Sequence, residues 1–230
     1  MKIKLIAIAC FVLLLTGLVI AGEDVKLESK KDKLSYSIGL DIGSKLRMQS
    51  IEVDPAIVAR GLADGFKGGK TLMSEKEANE TMAAFQKEMF AKQQAERNKL
   101  GEKNKKEGEE FLTKNKKKKG IKTTASGLQY KVIEKGKGKT PTATDSVTVN
   151  YRGTLIDGTE FDSSYKRGQP ATFQVGGVIK GWTEALQLMK EGAKWQLFIP
   201  SDLAYGARGA GRDIGPNATL IFEVELVSVN

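Results

Sequence analysis

The side chains that could do chemistry in this chain are aromatic rather than nucleophilic. There is no histidine, and the one cysteine is Cys10. A Ser-His-Asp triad, a Cys-His pair and a His/Cys zinc site are therefore out of reach, as is a disulfide within the chain. What the sequence supplies instead is rings. Ten of its sixteen aromatic residues fall after Ile121, among them Tyr151, Phe161, Phe173, Trp182, Trp195, Tyr205 and Phe222. Each ring read alone is as consistent with ordinary core packing as with a site. The Gly-rich segment 205–218 is different, because loops of that length usually serve a function. An aromatic cleft beside such a loop suits an apolar ligand group, and its chemistry has to be noncovalent.

The elements that must hold these rings read as strands from Ile121 onward. Residues 128–134 form one, followed by a Gly/Lys/Pro turn segment through Pro141. Val147, Val149 and Tyr151 alternate with Thr148, Asn150 and Arg152, the pattern of a half-buried strand. Asp157-Gly158 signals a hairpin turn leading to Phe161. A single short helix fits 182–190, ending at Gly192. Trp195, Leu197 and Ile199 then alternate, and Leu220, Phe222, Val224 and Leu226 make a last strand. Antiparallel strands with one helix packed across them give an α+β fold.

Residues 30–119 read as helical and rather polar. Leu34, Ile38, Ile42 and Leu46 recur every four residues and make one apolar stripe. Asp54-Pro55 starts a second helix and Gly68-Gly69 ends it, with Ile57, Val58, Leu62 and Phe66 between them. Ser74 with Glu77 has the form of a capping box for a third helix, which carries Met82, Phe85 and Met89 on one face. Beyond Arg97 this helix turns polar all round, with Glu102–Lys106 and Glu110–Lys114 spaced for i,i+4 pairs. Such a helix is expected to bridge separate parts through solvent. Gly101 and Gly108 are expected to weaken it by about 1 kcal/mol each, allowing fraying or a bend. The sequence thus divides into a leader at 1–21, a helical region at 22–73, a long connecting helix at 74–120 and an α+β domain at 121–230. Two short helices are too small to bury their stripes alone, so a homodimer through them is expected; folding back onto the last domain is the alternative.

The leader reads as an export signal. Lys2 and Lys4 precede an uncharged run at 5–21, and Glu23 and Asp24 follow it. Val19 and Ala21 fit the small-residue pattern before a cut, which points to cleavage after Ala21. An uncleaved anchor is the other reading, since the run only just reaches spanning length.

The stretches VNYRGTLIDGTEFDSS, GGVIKGWTEAL, IPSDLAYGARGAG and NATLIFEVEL closely resemble the FKBP-type peptidyl-prolyl cis/trans isomerases. The resemblance spans roughly Gly127 to Asn230. The helical part before it resembles the periplasmic branch that includes the macrophage infectivity potentiator proteins. What this implies is an FKBP-like sheet wrapped on one short helix, an all-α dimerisation region before it, and a place in the bacterial periplasm or at the outer membrane. The resemblance also implies a proline pocket with Trp182 as floor and Phe161, Phe222 and Tyr151 as walls. Phe173, Val178, Ile179 and Ile214 would surround it, with backbone N–H at the rim to hold a substrate carbonyl. Tyr205 would donate its hydroxyl to substrate, and Asp162 would pair with Arg167 and Tyr151, so that Arg167 is as much structural as catalytic. Phe161, Asp162, Trp182 and Tyr205 would carry catalysis, with no metal or cofactor. Macrolide inhibitor binding follows from the same pocket. Ala171, Gly177, Ala210 and Arg212 differ from better-known members and bear on the residue preferred before proline and on macrolide binding.

Two other readings compete with isomerisation. A noncatalytic chaperone would use the same cleft and the dimer's helical cradle to hold unfolded clients. Nucleic-acid binding through the lysines of 103–119 is disfavoured. Glu107, Glu109 and Glu110 interrupt them, and Phe111 is the one aromatic among them. An anionic membrane surface is a further partner for that stretch, and a solvated helix face is its ordinary explanation. The formal net charge of +9 belongs mostly to the first half: residues 23–120 carry 22 basic and 17 acidic groups.

Overall fold

The computed structural model describes residues 26–230. The leader and its cleavage site lie outside these residues. The chain divides into two compact units, Met1–Glu75 and Lys76–Asn230.

The described part of the first unit holds two helices, α1 (Lys30–Met48) and α2 (Pro55–Lys67). Ser29 caps α1 in a reciprocal capping box with Asp32, which satisfies two otherwise orphaned donors. Asp54 caps α2 by accepting from the N–H groups of Ala56 and Ile57, with Pro55 in the first turn, as its sequence predicts. Neither helix buries a residue. Leu34, Ile38, Ile57 and Leu62 are exposed, and Phe66 is 94% exposed.

All but the first residue of α3 (Glu75–Asn115), 41 residues without a break, belongs to the second unit. At about 1.5 Å per residue it is roughly 60 Å long. The strands follow as β1 (Ile121–Thr123), β2 (Gln129–Glu134), β3 (Ser146–Leu155), β4 (Glu160–Ser163), β5 (Ala171–Gln174), β6 (Lys194–Ile199) and β7 (Leu220–Val229). Two short helices interrupt them, α4 (Ser164–Arg167) and α5 (Lys180–Leu186). One antiparallel sheet runs in the order β1-β2-β6-β7-β3-β4, and β5 shares the edge of β3 with β4. The fold is α+β, as the alternating pattern predicts.

Period-2 alternation sorts the faces. Val147, Val149 and Tyr151 of β3, Leu197 and Ile199 of β6, and Leu220, Phe222, Val224 and Leu226 of β7 are all buried. They close over Trp182, Ala185 and Leu186 of α5. Gly181 lets this helix lie close, since a Cβ there would stand 2.5 Å from Ile199 Cγ2. Helix α5 begins earlier and ends sooner than 182–190. After Leu186 the chain tightens, Leu188 N–H bonding to Ala185 O at 3.0 Å, while Met189 still turns inward and is fully buried.

Helix α3 departs from its expected solvent-bridging role. Gly101, Gly108 and Asn115 are buried at seven-residue spacing, one stripe along the helix. Phe111 meets Phe198 of β6 at a centroid distance of 5.9 Å. Asn115 donates to Gln129 Oε1 at 3.0 Å, and Gln129 donates to Leu112 O at 2.9 Å. The helix neither frays nor breaks at its glycines, because those are the points where it packs.

Candidate active site

Strands β3, β4, β5 and β7, helix α5 and the loop after β6 converge on one cleft of about 650 Å³. Strand β3 and its neighbour β7 supply Tyr151 and Phe222, which lie two pairs apart across the same ladder: Tyr151 opposes Val224 and Gly153 opposes Phe222. The hairpin through Asp157-Gly158 returns the chain as β4, whose Phe161 and Asp162 enter from the edge. Helix α5 and the turn before it supply Trp182, Val178 and Ile179, and β5 adds Phe173.

Trp182 is nearly fully buried at the bottom. Three rings stand edge-on to it: Tyr151 at 5.2 Å and 89°, Phe222 at 5.2 Å and 81°, and Phe173 at 5.8 Å and 85°. Phe161 meets Phe222 at 5.5 Å and 84°. Edge-to-face contacts fix ring planes as well as positions, so the walls of the cleft are mutually braced. The indole Nε1 of Trp182 is buried with no hydrogen-bond acceptor among the described residues. Of the seven rings prominent in the sequence, Trp195 goes elsewhere and stacks on Tyr130 at 4.3 Å.

One polar cluster edges this apolar surface. Tyr151 donates its phenol to Asp162 Oδ2 at 2.6 Å, and Arg167 reaches both Asp162 Oδ1 at 2.5 Å and Tyr151 Oη at 2.7 Å. Partial burial works against ionisation of Asp162, but the hydrogen bonds from Tyr151 and Arg167 outweigh it and hold the carboxyl below its usual range. Burial, with the carboxylate as acceptor, pushes the Tyr151 phenol up. The cluster therefore stays as carboxylate, phenol and guanidinium at neutral pH. Arg167 does not line the cleft; it braces the two residues that do.

The segment 205–218 forms the remaining side. A 3-10 turn at Gly206–Arg208 is followed by a tight bridge, with Ala210 and Ile214 exchanging N–H···O bonds of 2.8 and 3.1 Å. Asn217 N–H closes the base on Gly206 O at 2.8 Å. Tyr205 and Ile214 line the cleft, and the Tyr205 hydroxyl has no protein partner among the described residues. The Ile179 N–H likewise finds no backbone acceptor among them. Ten of the eleven residues singled out in the sequence thus come together, and Arg167 stands behind them. Gly177, Ala210, Gly211 and Asp213 also line the cleft and are not among those eleven. The length of the glycine-rich loop is the sequence signal that covers the last three.

Comparison with known proteins bears on this arrangement. Residues 137–227 match the family described as FKBP-type peptidyl-prolyl cis-trans isomerase. Residues 31–132 match the domain amino terminal to FKBP-type peptidyl-prolyl isomerase. The outer membrane protein MIP of Legionella longbeachae is 50% identical over 229 residues, covering 100% of this chain and 98% of that protein. The peptidyl-prolyl cis-trans isomerase Mip of Coxiella burnetii is 50% identical over 203 residues, 88% of each chain. The crystal structure of FkpA from Escherichia coli matches with a TM-score of 0.71 at 41% identity, covering 89% of this chain and 99% of that one.

Proposed function

The chain belongs to the FKBP-type peptidyl-prolyl cis-trans isomerases, and from that premise we propose that it turns X–Pro bonds of exported polypeptides in the cleft floored by Trp182. The observation that carries the assignment of the site is the set of rings edge-on to Trp182, with one ion-paired cluster at their margin.

Rotation about an X–Pro bond makes and breaks no covalent bond. Its barrier of about 20 kcal/mol arises because amide resonance is lost in the twisted state. The twisted amide has less charge separation than the planar one, so a dry aromatic cavity disfavours the ground state relative to it. Fixed donors then select the twisted geometry. In this cleft the proline ring lies on Trp182 between Phe161, Tyr151 and Phe222. The free Ile179 N–H and the Tyr205 hydroxyl are the donors for substrate carbonyls. The Asp162 carboxylate, pinned by Tyr151 and Arg167, adds a fixed negative charge at the side where the amide carbonyl turns. Each 1.36 kcal/mol of preference for the twisted state gives about tenfold in rate, so a ten-thousandfold acceleration asks for roughly 5–6 kcal/mol. No nucleophile enters the scheme.

The proposal extends to the first unit. Exposed Leu34, Ile38, Ile57, Leu62 and Phe66 on α1 and α2 suit a homodimer of two such helical regions, whose paired clefts hold unfolded clients as a chaperone does. The relative named as an outer membrane protein and the basic, apolar leader support export to the periplasm, with cleavage after Ala21. Among the described residues no helix is long and apolar enough to cross a membrane. The reading extends to macrolide inhibitors, which the apolar lining of the cleft supports.

The deciding experiment is cis-to-trans isomerisation of a short proline peptide by the purified protein and its Phe161→Ala, Asp162→Ala and Tyr205→Phe variants. Acceleration that falls in all three, with folding retained, supports the assignment. Activity untouched by all three would move the site elsewhere.

A further inference from the structure

The loop that forms one side of the cleft has a second face, and that face lies on α3. Arg97 donates to Arg208 O. Asn104 Nδ2 donates to Pro216 O at 2.9 Å, and Asn217 Nδ2 donates to Gly101 O at 3.2 Å. The contacts are as close as backbone allows. A Cβ on Gly101 would stand 3.4 Å from the buried Pro216 ring, and one on Gly215 would stand 3.2 Å from Leu100 Cδ2. A Cβ on Gly108 would lie 2.3 Å from Thr219 Oγ1. Asn217, at φ 56, holds a left-handed conformation that few residues other than glycine adopt. Its side chain reaches α3 while its N–H closes the loop on Gly206.

We propose that α3 is a positioning element of the proline cleft: the strip Gly101–Asn104–Gly108 holds the loop from behind and so sets where Tyr205 and Ile214 stand. The inference rests on reading the cleft as the isomerase site. The loop's own hydrogen bonds, the Ala210–Ile214 bridge and the Asn217–Gly206 closure, fix its internal shape. They do not fix its distance from Trp182. Beyond the chain continuing into β7, the hydrogen bonds from 208–217 to described residues outside the loop all go to α3. Helix propensity alone cannot account for glycine at 101 and 108, because alanine would strengthen a helix at either place. Close approach does account for it.

The test uses the full-length protein and three readouts: kcat/KM on a proline tetrapeptide, rescue by a second substitution, and amide hydrogen exchange. Gly108→Ala is expected to lower kcat/KM roughly tenfold, inside the hundredfold that a displacement of about 1 Å can cost. The amides of Ala210, Ile214 and Asn217 should exchange faster while those of Val149 and Val224 keep their protection. Combining it with Thr219→Ala removes the obstructing hydroxyl and should restore most of the loss. Asn104→Ala leaves the glycine strip intact, so it reports even if Gly108→Ala misfolds; it should speed the same loop amides and lower kcat/KM about threefold. Gly108→Ala and Asn104→Ala with wild-type activity and wild-type loop exchange would overturn the inference, as would a double variant no better than Gly108→Ala. A wild-type protein without activity would overturn the reading of the cleft instead, and loop exchange in the variants would still decide the role of α3.

Discussion

The Tyr151 phenol donates to Asp162 Oδ2 at 2.6 Å across the junction of β3 and β4, and Arg167 closes the triangle. Because the carboxylate is held below its usual range, folding is favoured by its ionised form. A depressed folded-state value gives stability that is present above the unfolded value of about 3.9 and lost as pH falls through the folded one. Wild type should therefore unfold at a higher urea concentration than Asp162→Asn at pH 7, and the gap should close as pH falls below about 4. The Asp162 and Arg167 side chains are both over two-fifths exposed, so solvent screening keeps the effect modest. A gap unchanged down to pH 2 would remove the linkage.

Gly153 opposes Asp162 on one side and Phe222 on the other. A Cβ there would stand 2.7 Å from both the Phe161 and Phe222 rings. Gly153→Ala should push two cleft walls apart, costing about 1–3 kcal/mol as overpacking does, and lowering peptide isomerisation by more than its loss of stability explains. Thermal unfolding and the peptide assay on one preparation separate these two effects. A variant that is destabilised yet fully active would show that the walls tolerate the shift.

How far the sequence reaches is clear from particular residues. Val147, Val149 and Tyr151 were legible because a half-buried strand writes its face into alternate positions. The capped start of α2 was legible because Asp54-Pro55 follows a local rule, and α1 was legible from its stripe at Leu34, Ile38, Ile42 and Leu46, though not its cap at Ser29. The docking of α3 was not, since amphipathicity registers stripes of apolar side chains, and apart from Leu100 and Phe111 the helix makes this contact with glycines, asparagines and Arg97. The recurrence of Gly101, Gly108 and Asn115 every seven residues is the mark it leaves. The bracing role of Arg167 rested on resemblance alone; spacing could not pair it with Tyr151, sixteen positions away.

Asn115 and Gln129 are both buried, and each supplies the other's polar contact. Asn115 Oδ1 already lacks a partner among the described residues. Gln129→Ala strips the partner from Asn115 Nδ2 as well, and should cost about 1–3 kcal/mol. Asn115→Ala in the same background should recover part of that, because the buried amide is then gone. A double-mutant cycle in thermal unfolding measures the coupling. Additive losses within about 0.5 kcal/mol would mean that this pair does not hold the end of α3.

Phe66, 94% exposed on a helix that buries nothing, is the sharpest test of the proposed dimer. A large ring left in water forgoes about 1.5–3 kcal/mol of burial, and Ile57 and Leu62 on the same helix forgo more. A second copy of α1 and α2 recovers it. Phe66→Ser with Leu62→Ser should sediment as a monomer where wild type sediments as a dimer. Short proline peptides should be isomerised at the wild-type rate, since every residue of the cleft lies in the second unit. Proline-limited refolding of a whole protein should slow, because two linked clefts raise the effective concentration of a site near a client that one cleft has released. A wild-type protein that sediments as a monomer would sink the dimer. A monomeric variant that refolds clients as fast as wild type would leave the dimer standing and take the cradle from it.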